Sequence, residues 1–290
     1  MKSLSKLIAS EDAVLAVQNI KDRSIFRVFS LKEQRILFEQ TMPRIWAKKW
    51  SYSAKINAIA SIGSEDPMVS IFGGDDGVIK SGFRVVGGTD VLLFENHLRV
   101  SGNSMIKTFD LNGEIVGEHS FVGDLVRDLG IFIISEINVR RYHLLNGTGE
   151  FIAEIPLEGL GVTSSFLTLG GLVVTISGGP TLLINQKGEI IWQKNSRNEY
   201  HPIFAGADSD NNISTIHAHF PTMTKSIFTV HSPDGTLIGE ELFDICPPVA
   251  TFCPSLTGWI IGSLETFAFE SGKFKRGRIE AVRQAFNIGE

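Results

Sequence analysis

With 290 residues, 43% of them hydrophobic and 20% charged, the chain has enough apolar side chains for a full core, which excludes a disordered or fibrous polymer. A net charge of −5 gives no long-range attraction toward phosphate backbones and argues against a nucleic-acid partner. The stretch Met1–Val17 reaches Glu11 and Asp12 before any apolar run long enough for a signal peptide, and no later stretch approaches the roughly 18 apolar residues of a membrane span, so a cytoplasmic protein without a membrane partner is expected.

The 29 Gly and 20 Phe against 3 Tyr suit many short strands joined by tight turns. Taken in chain order, one pattern recurs: an apolar strand, a polar or glycine-bearing turn, then a second strand. It occurs in FRVFSLKEQRILFEQ around Glu33, VSIFGGDDGVIKSGF around Gly77, MIKTFDLNGEIVGEH around Gly113 and RRYHLLNGTGEFIAEI around Gly149. It continues in LLINQKGEIIWQK around Gly188, FTVHSPDGTLIGEE around Gly235 and FAFESGKFKRGRI around Gly272. The turns stand about 36–47 residues apart, the length of a four-stranded propeller blade. Runs that are apolar almost throughout precede most of these hairpins: AVLAVQ from Ala13, GIFIIS from Gly130, GLVVTIS from Gly171 and GWIIGS from Gly258. Such runs fit strands covered on both faces, whereas the strands after the turns alternate as a half-exposed outer edge would. The expected fold is all-β, a seven-bladed β-propeller with four antiparallel strands per blade, forming one domain over residues 1–290. Lys2–Ser10 is expected to supply the first strand of the first blade, with the tail from Ala281 outside the sheets.

The segment Asn185-Gln-Lys-Gly188-Glu-Ile-Ile-Trp192 resembles the turn and docking tryptophan of pyrroloquinoline-quinone-type propeller repeats, and Ala207-Asp-Ser-Asp-Asn-Asn-Ile-Ser214 resembles the strand entry of NHL-type blades. The resemblance implies propeller architecture and transfers no active site. The chain contains no Trp-Asp dipeptide, the signature of tryptophan-aspartate repeats.

No nucleophile elbow, phosphate-binding loop, H-E-x-x-H or paired C-x-x-C motif is present, and no catalytic residue, metal site or cofactor is expected. His217 and His219 share a strand face and could meet a metal, but no third ligand lies nearby in sequence, so packing imidazoles are the better reading. Asp208-x-Asp210-x-Asn212 starts like a calcium loop, yet Ile213 takes the place of the required glycine and a turn fits better. Cys246 and Cys253 are expected as free thiols. The basic strand Lys273–Arg278, and Arg140 with Arg141, read as solvated faces.

Recognition in a repeat disc falls to the loops that exceed the period. Those are the first connection, Thr41–Ser53, and the sixth unit, which gains Ser196–His201 and Pro221–Lys225. Arg44, Trp46, Trp50, Arg197, Tyr200 and His201 are therefore the expected partner-binding residues, since Trp, Tyr and Arg gain most when an interface desolvates them. Trp46 and Trp50, four apart on one strand face, also admit a core-packing role. A non-catalytic scaffold for protein–protein interaction is the leading functional expectation; a small-molecule or glycan-binding module, or an enzyme whose groups come from different blades, are the alternatives.

Overall fold

A computed structural model describes residues 4–43, 49–63, 67–102, 104–121, 124–129, 132–135, 142–147, 150–155, 161–197 and 199–279. The chain forms two compact units, Met1–Asp128 with Gly262–Leu264 and Arg278–Glu290, and Leu129–Ile261 with Glu265–Gly277. Almost everything described is strand; the helix content among the described residues is one 3-10 turn, Pro254–Leu256.

The strands group into four-stranded sheets of consecutive members. The first sheet is β1 (Lys6–Ser10), β2 (Ala13–Ile20), β3 (Arg23–Ser30) and β4 (Arg35–Pro43). The second is β5 (Lys49–Ser53), β6 (Ala58–Ile62), β7 (Met68–Gly73) and β8 (Ile79–Arg84). The third is β9 (Gly88–Leu93), β10 (His97–Gly102), β11 (Met105–Asp110) and β12 (Ile115–Ser120). The fourth comprises β13 (Asp124–Asp128), β14 (Phe132–Ser135), β15 (Tyr142–Leu145) and β16 (Phe151–Ile155). Then come β17 (Val162–Thr168), β18 (Gly171–Ile176), β19 (Thr181–Ile184) and β20 (Ile190–Lys194). The sixth sheet is β21 (Tyr200–Ala207), β22 (Ile213–His219), β23 (Ser226–His231) and β24 (Leu237–Phe243). The last is β25 (Ala250–Cys253), β26 (Gly258–Ile261), β27 (Glu265–Glu270) and β28 (Lys273–Arg278). Six of these sheets are described over most of their side chains; in the fourth, those of β13 and most of β14 lie outside the described residues.

Among the described residues each recurring turn of the sequence joins the third and fourth strands of a sheet; Gly149, the turn position of the fourth, lies outside them. In the turn after β19, the Asn185 carboxamide oxygen accepts from the amides of Lys187 and Glu189 at 2.9 and 3.0 Å, and Gly188 takes φ +84°. The register then shifts by one residue between Leu183 and Ile184, a bulge that fits the extra turn residue. Asp110 and Asp234 organise the matching turns in the third and sixth sheets through their own carboxylates.

The second strands β2, β6, β18 and β26 are buried almost along their whole length, as their unbroken apolar runs require. The outer strands β8 and β12 alternate between exposed and half-buried residues. Adjacent sheets bury aromatic clusters. In the first unit Phe26 packs on Trp50 and Phe72, with ring centroids 4.9 and 5.1 Å away. In the second, Phe228 meets Phe243, Phe267 and Phe274.

β1 pairs with β2 from Lys6 opposite Val17 to Ser10 opposite Ala13, so the first sheet takes its inner strand from the N-terminal segment. Residues 280–290, on which the expectation for the tail falls, lie outside the described residues. Both cysteines are free. The basic strand β28 is paired within its own sheet: Arg276 donates to Glu265 at 2.7 Å, and Lys275 bonds Glu270.

Candidate functional site

Two of the segments that exceed the repeat length meet at one end of the sixth sheet. β21 begins after the connection from β20, and the β22–β23 loop follows His219, so both loops leave the sheet on the same side. The Phe220 amide donates to the Glu199 carbonyl at 2.7 Å, and the Met223 amide to the His219 carbonyl at 2.8 Å, closing the second loop on the first. His219 ties them further, with Nδ1 2.8 Å from Thr222 Oγ1 and Nε2 3.3 Å from Glu199 Oε2. Ser196 Oγ donates to the Gly179 carbonyl at 2.5 Å, anchoring the first loop on the fifth sheet.

Three of the expected partner-binding residues stand on this end. Arg197 is exposed and pairs with Glu240 at 2.7 Å. The Tyr200 ring lies 5.0 Å from that of His219, and the His201 ring stacks on Phe220 at 4.6 Å with 8° between planes. Phe220 is 54% exposed and Met223 51%, so their outer faces remain open to solvent. Neither was singled out in the sequence; the available signal was a bulky apolar pair, Phe220 and Met223, around Pro221 in a loop longer than its counterparts.

Trp50 does not belong here. It is 7% exposed and wedged against Phe26 and Phe72, a core residue of the first and second sheets, because a large indole on an inner strand is worth more buried than displayed. Arg44 and Trp46 lie outside the described residues, as do Arg140 and Arg141.

Below the two loops the facing sides of the fifth and sixth sheets leave a cavity of about 230 Å³. Thr181 and Lys194, directly paired across β19 and β20, line one side with Asn195. His217, Ile227, Thr229, His231, Leu237 and Glu240 line the other, and Arg197 and Tyr200 border it. Burial pushes the His217 imidazole down to about 4, with the charges of His231 and Arg197 adding to the effect. Burial, then Lys194, push His231 down to about 4 as well. Both rings are thus neutral at pH 7. His217 Nε2 lies 2.7 Å from Thr215 Oγ1, which in turn contacts Thr229 Oγ1 at 2.6 Å. His217 and His219 therefore take separate partners, and among the described residues no cluster of three or more His, Cys, Asp or Glu could hold a metal. The Asp208 carboxylate accepts from the amides of Asp210 and Asn212, both at 2.9 Å, so that run is a turn between β21 and β22.

No family model matches the chain, and no curated protein does. Among solved structures, Kluyveromyces lactis Hsv2 superposes with a TM-score of 0.72 at 10% identity, covering 96% of this chain and 100% of that one. The Myceliophteria thermophila Cps50 (Swd1) β-propeller domain gives 0.66 at 9% identity, over 96% and 97% of the two chains. The C-terminal WD40 domain of Sif2 gives 0.65 at 9%, over 94% and 80%. Similarity at these identities defines the fold: an all-β β-propeller with four antiparallel strands per blade. The resemblance to pyrroloquinoline-quinone-type and NHL-type blades is not supported by these neighbours. An Asx-stabilised turn and a docking tryptophan are solutions to packing one blade on the next, so they do not mark a family. Among the described residues no helix is long and apolar enough to cross a membrane.

Proposed function

We propose that this protein is a non-catalytic β-propeller scaffold that holds a protein partner on the loop-bearing end of the sixth sheet, with the sheets arranged as seven blades of one ring. The observation that carries this reading is the pair of longer loops locked together at that end, which present Phe220, Met223, His201 and Arg197 to solvent on a rigid base. Aromatic, methionine and arginine side chains are those enriched where interfaces desolvate, and well-packed neighbours lower the entropy lost on binding. The near-complete superposition on propeller structures supports the ring, and a cytoplasmic setting fits the free cysteines.

The test is titration calorimetry with the partner obtained by co-purification. Arg197→Ala and His201→Ala should each weaken binding by about 1–2 kcal/mol while the melting temperature stays nearly constant. Unchanged affinity in both variants would place the partner elsewhere.

A further inference from the structure

We propose that the cavity between the fifth and sixth sheets is a binding site for a small monocarboxylate with a short apolar tail. Thr181 is 3% exposed, lines the cavity, and its hydroxyl has no hydrogen-bond partner among the described residues. Nδ1 of His231, on the other side of the cavity, is buried and likewise has no partner among the described residues. A buried polar atom left unmatched destabilises the fold, so two in one cavity are a standing disadvantage unless a ligand answers them.

The charges narrow the ligand. Glu240 is matched by Arg197, whereas Lys194 has no ion-pair partner among the described residues and is near enough for its charge to act on His231. One unmatched cation calls for one negative charge. A phosphate dianion would need a second free cation and would meet the Glu240 carboxylate. The Lys194 ammonium, the Thr181 hydroxyl and the Nδ1–H of a neutral His231 are three donors that the oxygens of a single carboxylate can accept from. Ile227 and Leu237 supply the apolar contact for the rest of the molecule. At about 230 Å³ the cavity falls below the roughly 300–1,000 Å³ of drug-sized sites, which limits the ligand to a small metabolite.

The experiment uses the full-length protein with sodium butyrate and sodium benzoate as probes, followed by saturation-transfer NMR and calorimetry, with benzamide and inorganic phosphate as comparisons. Saturable binding of the carboxylates but of neither comparison is expected, together with a shift of the His231 imidazole resonances. Thr181→Val and Lys194→Met should each weaken binding about tenfold. Lys194 is exposed, so its variant reports on binding even if the buried substitution disturbs folding. Thr181→Val should melt no lower than the parent, since it removes an unmatched hydroxyl. Absence of saturable carboxylate binding, equal affinity in Lys194→Met, or preference for phosphate would overturn the proposal and leave a solvent-filled crevice. Phe220 and Met223 do not line the cavity, so Phe220→Ala should leave butyrate binding intact, and failure of the scaffold reading can be told from failure of this one.

Discussion

Gly235 shows how one residue serves two demands at once. Its φ of +85° is the left-handed region that an L side chain enters at a cost, and a Cβ built there would lie 2.9 Å from Trp192 Cγ. The indole is held over this turn because its Nε1–H donates to the Pro233 carbonyl at 3.1 Å. Gly235→Ala should therefore lower stability by about 2 kcal/mol, read as a shifted urea midpoint with an unchanged slope. At the same scale, His217 and His231 make stability depend on pH. Their folded values, about 4, lie below the ordinary 6.5, so between these limits the unfolded chain binds more protons. Their contribution is complete above pH 6.5 and is lost as pH falls toward 4. Urea midpoints should drop over that window by an amount equivalent to about 2–4 kcal/mol in total, and His217→Gln should flatten the drop. A midpoint constant from pH 7 to 4.5 would show that the rings are not buried as described.

At the scale of strands, the hairpins and doubly covered strands were legible because their causes are local. A positive-φ glycine, an Asp or Asn that accepts from its own turn, and an uninterrupted apolar run leave marks within a dozen residues. Lys6–Ser10 was legible for the same reason, and its ladder to β2 has a testable consequence. Deleting residues 1–10 strips the inner strand from the first sheet and exposes the buried edge of β2, so the melting temperature should fall by many degrees or the protein should aggregate. What sequence alone left open was which aromatic faces out. Trp50 and Phe220 are both bulky and both next to long connections, yet one fills a gap between sheets and the other caps a loop. That difference arises from contacts among Phe26, Trp50 and Phe72 that are distant along the chain.

At the scale of the whole molecule, the period identified the architecture even without a Trp-Asp signature, since stacking of one sheet on the next needs only a covered face and a turn that docks. The cavity had no such mark. Thr181, Lys194, His217 and His231 come from four strands in two sheets, and only the fold brings them to one cavity. The proposed seat of a protein partner is the loop end of the sixth sheet. Quantitative capture from the native host with the parent protein and with Phe220→Ala/Met223→Ala, both at matched stability, tests it most directly. A stoichiometric partner retained by the parent and reduced about tenfold or more by the double variant is the predicted result; the same partner recovered at the same yield by both would contradict it.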